Sequence, residues 1–225
     1  AEAAKRLAML SVITGNLGKP GAGLYPLTTG ANDQGTWDMG CLPSFLPGQQ
    51  LLSNDAERKR VERIWGVEIP SSPGLSVREI ANAIRQNRLK ALIILGDHDG
   101  YYDGSLGEIV DLAKDLEFLM VTDAFKSPIA EQANVVFPSS TFLESYGTYT
   151  NLERRVQPLR KVFTHPQVEG QPIYKIMSEL GRRMDKNSVW PEDPQSVMHE
   201  ISKVNLAYGG VSYQRLLDEA KPTRR

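Results

Sequence analysis

The chain has very little cysteine: Cys41 is the single thiol among its 225 residues. One thiol excludes an internal disulfide, and it cannot by itself hold an iron–sulfur cluster or a cysteine-rich zinc site. Scarce cysteine is compatible with a reducing compartment, so we expect a cytoplasmic location. We expect Cys41 itself to be a buried or partly buried thiol and no metal ligand.

The chain also lacks an excess of charge of one sign and a long apolar run. Its 26 basic and 27 acidic residues give a formal net charge of −1, so no overall field attracts nucleic acid or an anionic membrane surface. No stretch of about 18 apolar residues is present, and we expect no signal peptide. The sequence therefore predicts neither nucleic-acid binding nor direct membrane insertion.

Two common nucleotide-binding motifs are missing as well. No Gly-x-Gly-x-x-Gly sequence follows a predicted strand, and no Walker-type Gly-Lys-Ser/Thr sequence is present. These two absences argue against ordinary binding of NAD or ATP.

The pattern of apolar residues changes period in the middle of the chain. Continuous apolar runs at Ala91–Leu95, Phe118–Val121 and Val135–Phe137 are typical of buried strands. Helical patterns lie between them, at Leu106–Leu116 and at about Ser127–Ala133. This alternation predicts right-handed βαβ units in an α/β fold, with a doubly wound, mainly parallel sheet and helices on both faces.

Amphipathic helices are predicted on either side of this core, one of them opened by a capping box of Ser76 and Glu79. The predicted helices are Glu2–Ile13, Asp55–Trp65, Ser76–Asn87, Ile173–Met184 and Pro194–Val204. We expect one α/β domain over residues 1–225. Within it, residues 1–50 form a helix and a cofactor-facing loop, 76–160 the βαβ core, and 171–225 the C-terminal helices.

Two loops near the N-terminus are richer in glycine or polar residues than a connector requires. Thr14–Pro26 contains four glycines, which allow positive φ and close approach to a ligand, although an ordinary helix-ending loop is the alternative. Thr28–Gln50 is long and rich in turn-forming residues, which indicates a functional or mobile segment.

Ligands of doubly wound sheets bind beyond the carboxyl ends of the strands. In this chain the loops that leave the predicted strands are 96–104, 122–127 and 138–147. Each has a turn-forming or small polar residue where it leaves its strand, and helix N-termini after two of them can accept phosphate oxygens. The arrangement predicts a site for a nucleotide-like ligand at this edge of the sheet.

Several polar residues in and after these loops have more than one interpretation. Asp123 can accept hydrogen bonds from a guanine edge, or it can cap the following helix. Arg154 and Arg155 suit phosphate binding, but the local sequence favours a surface pair that bridges to Glu153 or Glu144.

The loop Asp97–Asp103 invites two further interpretations. Its acidic residues and Glu108 are spaced as in a calcium-binding loop, but Tyr102 occupies the position that such a loop fills with glycine. His98 could act as a base, but no second histidine or nucleophilic serine has a supporting motif. We favour a solvated loop anchored by its tyrosines.

Five segments resemble, in order and spacing, formate dehydrogenase-type enzymes of the molybdopterin oxidoreductase family. The resemblance covers roughly residues 5 to 185, and the segments together are far more specific than one short motif. The segments are Thr14–Leu24, Asn32–Pro43, Leu46–Gly48, Trp65–Val67 and Thr122–Arg155. The resemblance implies that the chain is part of the catalytic subunit of a two-electron oxidoreductase.

The resemblance also implies a cofactor and a set of contacts for it. Members hold a molybdenum or tungsten ion between two molybdopterin guanine dinucleotides, and this region supplies one side of the dinucleotide cleft. The residues that it places near the second dinucleotide are Gly96, His98, Thr122, Asp123 and Ser145. Asp123 is then the partner of the guanine.

In the same resemblance the segment Pro26–Gly35 faces the metal centre, with Thr28 at the metal-facing, catalytic position and Gly30 and Asn32 as cofactor contacts. Formate dehydrogenases usually carry an arginine there, in an Arg-Gly-Gln-Asn-Asn pattern, that holds the substrate carboxylate. This chain reads Leu-Thr-Thr-Gly-Ala-Asn, without the arginine or the glutamine. Without a guanidinium the bidentate contact that positions formate is lost.

Other parts of the family pattern have no counterpart in this chain. Members begin with a cysteine-rich iron–sulfur region, donate a cysteine or selenocysteine to the metal, and end with a β-barrel domain. We therefore expect the chain alone to be inactive and any iron–sulfur cluster to lie in other parts of the catalytic subunit. Its partners are then the remainder of that subunit and electron-transfer subunits.

Two alternatives to a formate dehydrogenase-like parent stay open. A nitrate reductase-like parent fits Thr28 better and the remaining motifs less well. A degenerate, non-catalytic domain of the large peripheral subunit of an NADH dehydrogenase complex would share the fold without the pterin, and its work would be structural.

Overall fold

Helices and one short hairpin form the N-terminal part of the fold. The computed structural model describes residues 2–28, 30–96, 106–164, 170–185 and 189–219 of the chain. Helix α1 is Glu2–Ile13 and helix α2 is Asp33–Asp38. The antiparallel strands β1 and β2 follow at Phe45–Leu46 and Gln50–Leu51, and helices α3 and α4 are Asp55–Trp65 and Val77–Arg85.

Local capping explains where α3 and α4 begin. The Asn54 side chain accepts a hydrogen bond from Glu57 N at 3.4 Å, and Ser76 with Glu79 forms the predicted capping box. Helix α3 ends at Gly66, whose φ of 70° is one that glycine adopts without strain. Because these end groups are satisfied locally, both helices begin within a residue of their predicted starts.

A parallel sheet of three strands follows. Strand β3 is Ala91–Leu95, β4 is Phe118–Asp123 and β5 is Val135–Pro138, and they lie side by side in that order. Helix α5, Gly107–Leu112, continues into a 3-10 turn at Ala113–Asp115, and a further 3-10 turn at Ala130–Gln132 precedes β5. The predicted α/β class with a parallel sheet is confirmed, whereas the pattern at Ser127–Ala133 forms a 3-10 turn in place of an α-helix.

Both faces of β4 are buried, which is why its sequence reads as a continuous apolar run. Leu119 and Val121 face one side of the sheet, and Met120 and Thr122 face the other, and all four are buried. The core on the first side joins β4 to α4, α5 and the two 3-10 turns. Its buried members are Ala81, Ile84, Ile109, Ala113, Leu119, Val121, Ile129 and Ala130.

A second hairpin and further helices complete the described fold. A 3-10 turn at Phe142–Glu144 precedes the antiparallel strands β6, Gly147–Thr150, and β7, Val156–Leu159. Helices α6, α7 and α8 are Ile173–Met184, Pro194–Val204 and Tyr213–Glu219, with a 3-10 turn at Leu206–Tyr208. Helices α6 and α7 have the predicted bounds.

The C-terminal helices fasten the N-terminal part of the chain. One buried cluster joins the β1–β2 hairpin and α3 to α7, through Leu46, Leu52, Val61 and Val204. The Arg60 guanidinium strengthens this junction, because its Nη2 donates to Val204 O at 2.7 Å.

Helix α1 differs from the other long helices. It has the predicted bounds, but none of its 12 residues is buried. Its apolar side chains Leu7, Leu10 and Ile13 are each more than half exposed. No helix in the described residues is both long enough and apolar enough to cross a bilayer.

Candidate functional site

The carboxyl ends of the three parallel strands meet at one edge of the sheet. Beyond β3, Gly96 N donates to Thr122 O at 2.7 Å, and beyond β5, Ser139 N donates to Asp123 O at 2.9 Å. These bonds extend the ladder past the last residues of β3 and β5. The sheet therefore holds Gly96, Thr122, Asp123 and the start of the third loop side by side.

Asp123 has one oxygen that is bonded and one that is not. Its side chain is nearly inaccessible, with the residue only 4% exposed. Oδ1 accepts a hydrogen bond from Phe125 N at 3.2 Å, which makes a tight turn after β4. Oδ2 is buried and has no hydrogen-bond partner among the described residues. A buried carboxylate oxygen without a donor is costly, so it requires an explanation.

Two hydroxyls close to Asp123 in the chain share this condition. Thr122 Oγ1 and Ser127 Oγ are buried and have no hydrogen-bond partner in the described part of the chain. Thr122 is 0% exposed and Ser127 6% exposed. Hydroxyls can donate and accept, whereas the carboxylate only accepts. A polar ligand with donors and acceptors at this edge could satisfy all three groups.

Gly96 turns the chain away from β3 in a conformation that suits glycine. Its φ of +71° lies in the left-handed region, and a Cβ at this position would lie 3.7 Å from Ile173 Cδ1. Ile173 is the first residue of α6, so this helix begins beside the end of β3. The sequence pattern placed Ile173 on a helix but did not indicate this contact with the sheet edge.

The third loop is held by its own hydrogen bonds. Ser145 Oγ lies 2.6 Å from Ser140 Oγ. In the same loop Thr141 and Glu144 form a capping box, with Thr141 Oγ1 donating to Glu144 Oε2 at 2.8 Å. Ser140 N also donates to Gln171 O at 3.1 Å, which fastens the segment before α6 to the loop. Sequence reasoning selected Ser145 but missed its partner Ser140.

The segment predicted to face a metal is anchored elsewhere, on α2 and β6. Gly30 N donates to Asp33 Oδ2 at 3.1 Å, and Asn32 Oδ1 accepts from Thr150 N at 2.8 Å. The Asn32 carboxamide is therefore used to hold the segment against β6. Thr28 is exposed, with its side chain open to solvent. These bonds tie Gly30 and Asn32 to α2 and to β6.

A partly buried polar network is centred on Asp38. Asp38 Oδ1 accepts from the side-chain amides of Gln34 and Gln49, each at 2.8 Å, and its Oδ2 accepts from Tyr208 OH at 3.1 Å. Tyr208 OH also lies 2.8 Å from Thr150 Oγ1. Burial, with Asp38 nearby, raises the pKa of Tyr208 to about 12. Residues so far apart in the chain carry no local signal of this contact.

A small cavity opens beside the network. Its volume is about 220 Å³, enough for a few waters or a small anion. Its walls include polar groups from α2, β6 and the C-terminal helices, among them Asn32, Tyr146, Tyr174 and Tyr208. Burial raises the pKa of Tyr174, so its phenol is neutral at ordinary pH.

The remaining predicted features have clear outcomes. Arg155 Nε pairs with Glu153 Oε2 at 3.0 Å, with both side chains exposed, so the surface-pair interpretation is confirmed for Arg155. Cys41 is exposed, so the expectation of a buried or partly buried residue is wrong, although nearby atoms desolvate the thiol enough to raise its pKa. His98 and the loop around it lie outside the described residues. Within the described residues no three His, Cys, Asp or Glu side chains group as metal ligands do.

Known proteins resemble the chain over most of its length. Residues 1–183 match the family model described as "Molybdopterin oxidoreductase". A Bacillus subtilis (strain 168) protein named "Probable oxidoreductase YjgC" is 39% identical over 207 residues, which are 92% of this chain and 21% of that protein. The "F420-dependent formate dehydrogenase subunit alpha" of Methanocaldococcus jannaschii is 36% identical over 220 residues, or 96% of this chain and 32% of that protein. The chain thus spans a third or less of the length of these relatives.

Proposed function

Because this chain belongs to the molybdopterin oxidoreductase family, we propose that it is a piece of the catalytic subunit of a formate dehydrogenase-like enzyme. In this proposal it forms one side of the site for a molybdopterin guanine dinucleotide. The observation that carries the proposal is Asp123 Oδ2, an acceptor at the end of the central strand that is buried without a donor among the described residues.

The groups at the sheet edge fit the guanine end of such a cofactor. Guanine presents a ring N–H and an exocyclic amino group on one edge, and a carboxylate is an acceptor only. Asp123 Oδ2 would therefore receive the donor that no described residue supplies. Thr122 Oγ1 and Ser127 Oγ can donate to the guanine carbonyl or to phosphate oxygens. Buried hydrogen bonds to a charged group are each worth roughly 1.5–3 kcal/mol.

Residues of this chain bind and orient the cofactor in the proposal, and do no redox chemistry themselves. When bound, the cofactor supplies oxygen-atom or hydride chemistry at molybdenum or tungsten. Asp123, Thr122 and Ser145 hold its nucleotide end, and the glycine at position 96 lets the backbone turn beside it. Thr28, Gly30 and Asn32 form the surface that faces the metal, which α2 and β6 keep in place through the bonds of Gly30 and Asn32.

The remaining parts of the enzyme lie outside these 225 residues in the proposal. The relative from Methanocaldococcus jannaschii is named as a subunit alpha, which supports partners that include electron-transfer subunits. Any iron–sulfur cluster would belong to those parts, because this chain has one cysteine. We propose a cytoplasmic location for the assembly.

One observation favours a second candidate substrate. Thr28 stands where the formate dehydrogenase pattern has an arginine, and a hydroxyl cannot form the bidentate charged contact that a guanidinium makes with formate. A nitrate reductase-like activity is the alternative that this residue supports. The site for the cofactor is the same in both candidates.

Substitution of Asp123 tests the proposal. In the full-length gene product that contains this sequence, we expect Asp123→Ala to lower the content of bound pterin, molybdenum or tungsten, and acid-released guanine nucleotide at least tenfold. The matched control is Asp115→Ala, since Asp115 is an exposed aspartate on the 3-10 turn that leads to β4. Its cofactor content should equal that of the wild type.

The same variant separates binding from folding. Asp123→Ala removes the Oδ1 hydrogen bond from Phe125 N, but it also removes Oδ2, which is buried without a partner among the described residues. The two effects oppose each other, so the ligand-free 225-residue chain should not lose more than about 1 kcal/mol of unfolding free energy. Unchanged cofactor content in Asp123→Ala would remove Asp123 from the site. A wild-type gene product that contains no pterin would contradict the proposal and support a non-catalytic domain.

A further inference from the structure

Strand β3 is hydrogen-bonded on one side alone within the described residues. Its partner is β4, in parallel register from Ala91 with Phe118 to Leu95 with Thr122. At one end Phe118 N donates to Lys90 O at 3.1 Å, and at the other Gly96 N donates to Thr122 O at 2.7 Å. Because backbone groups alternate in direction along a strand, even-numbered residues face β4. The amides of Ala91, Ile93 and Leu95 therefore point away from the sheet.

The side chains at these outward positions are apolar and exposed. Ile93 and Leu95 are each 44% exposed, and the neighbouring Phe118 is 40% exposed, whereas Met120 on the same face is 3% exposed. We name the outward backbone of β3 together with the side chains of Ile93, Leu95 and Phe118 the β3 edge surface. It combines an apolar row with backbone groups that have no partner in the part of the chain that the structure describes, and an added strand requires both.

The opposite edge of the sheet, along β5, is partly covered by other residues of this chain. Beside β5, Gln171 N donates to Pro138 O at 3.0 Å and Ser140 N donates to Gln171 O at 3.1 Å. Residues of this chain therefore cover part of the β5 edge. Strand β3 reads Ala-Leu-Ile-Ile-Leu, with no charge or proline of the kind that protects a naturally exposed edge.

We propose that a further β-strand pairs with β3 and covers the β3 edge surface, and that it comes from the same gene product outside these 225 residues. This inference rests on the proposed function, in which the chain is part of a longer subunit. The relatives support it by length, since the matched region is 21% and 32% of their chains. Parallel sheets are normally buried on both faces, so a sheet with an exposed apolar row is incomplete.

Residue-resolved hydrogen exchange tests the pairing. Amide exchange is compared between the isolated 225-residue chain and the full-length gene product, by mass spectrometry with electron-transfer fragmentation. We expect the amides of Ile93 and Leu95 to exchange at least tenfold more slowly in the longer protein, because a new hydrogen bond protects each. The amides of Leu92 and Ile94 are internal controls, since β4 already binds them and they should be slow in both samples.

Three other outcomes would overturn the proposal. Slow exchange of Ile93 and Leu95 in the isolated monomer would mean that these 225 residues cover the edge themselves. If exchange of Ile93 and Leu95 in the isolated chain becomes slower as the protein concentration rises, and light scattering detects a dimer, a second copy of the chain pairs there. Fast exchange in the longer protein would mean that no strand pairs there. Pterin content, measured on the same samples, reports separately on the proposed function.

A matched pair of substitutions gives a second measurement. The 225-residue chain and the rest of the gene product are co-expressed as separate polypeptides, and their association is measured by co-purification. We expect Ile93→Lys to reduce association at least tenfold and Val136→Lys to leave it unchanged, because Val136 is also exposed, at 47%, but lies on β5. Circular dichroism melts of the isolated variants confirm that both still fold. Equal association of the two variants would contradict the proposal.

Discussion

At the scale of single residues, the structure separates polar groups that are satisfied inside the chain from those that are not. Asn32 and Asp38 are bonded to distant residues, and they act as structural supports. Thr122, Asp123 and Ser127 follow one another closely in the chain and leave buried atoms without partners among the described residues. Buried polar atoms are nearly always hydrogen-bonded in native proteins, so these three mark the place where a ligand is expected.

The buried phenol of Tyr208 gives a prediction for alkaline pH. Its pKa is raised to about 12 in the folded chain from an ordinary value of 10.0. The unfolded chain therefore loses this proton first, and the free energy of unfolding falls as pH rises from 10 to 12, by up to about 3 kcal/mol. Below pH 10 this contribution is fully present.

Tyr208→Phe should reduce this pH-dependent loss. At pH 7 the variant should also be less stable by about 1–3 kcal/mol, because Asp38 Oδ2 and Thr150 Oγ1 lose their partner. Urea unfolding of both proteins from pH 7 to pH 11.5 measures the two effects. Tyr25→Phe, at an exposed tyrosine, is the control and should change neither. An equal pH dependence in wild type and Tyr208→Phe would contradict the prediction.

At the scale of elements, those with a strong local signal lie where the sequence predicts them. Helices α6 and α7 have the predicted bounds, because their apolar residues recur with helical spacing over three turns. Helix α2 was missed, since six residues containing Gly35 have little intrinsic preference for a helix. It is held instead by tertiary hydrogen bonds such as Asn205 Nδ2 to Asp38 O at 2.9 Å.

A substitution at Gly181 in α6 tests whether side-chain packing or helix propensity has the larger effect on stability. Alanine favours a helix interior over glycine by about 1 kcal/mol, but a Cβ at this buried position would overlap the indole of Trp190. We expect Gly181→Ala to destabilise the chain by about 1–3 kcal/mol, because the ring must move. Chemical unfolding measures the loss, and tryptophan fluorescence reports the displaced ring.

Gly107→Ala is the matched control for this helix substitution. Gly107 begins α5, and a Cβ there would meet no atom within 4 Å. The variant should be as stable as the wild type or slightly more stable. A Gly181→Ala protein that gains stability would contradict this prediction. It would show that the indole moves at no cost and that helix propensity sets the change in stability.

At the scale of the whole molecule, the chain covers a small part of its relatives, and its surface is consistent with this. Helix α1 exposes its apolar side chains, and β3 exposes one row of its own. Of the residues predicted to face the metal, Gly30 and Asn32 are held by α2 and β6, whereas Gly96, Thr122 and Asp123 lie at the end of the parallel sheet.

The choice of substrate is also a question for the whole molecule, because only the assembled enzyme can be assayed for turnover. In the full-length gene product, Thr28→Arg should lower the KM for formate about tenfold or more, since a guanidinium restores a bidentate contact with the carboxylate. Steady-state kinetics with formate and with nitrate measure the change. Leu27→Arg is the control, since Leu27 is an exposed neighbour one position away. A wild-type KM for formate that Thr28→Arg does not improve would contradict the argument from the missing arginine.

The sequence by itself determined the fold class, the family and most helices and strands, because periodicity, capping and motif order are local properties of the chain. It also pointed to the end of β4. Only the tertiary structure decided that Asn32 is bound to Thr150 and that, among the described residues, Asp123 keeps an unpartnered oxygen and β3 has an open apolar edge. Hydrogen-bond satisfaction and burial depend on residues that are apart in the sequence, by 118 positions for Asn32 and Thr150, and such contacts exist only once the chain has folded.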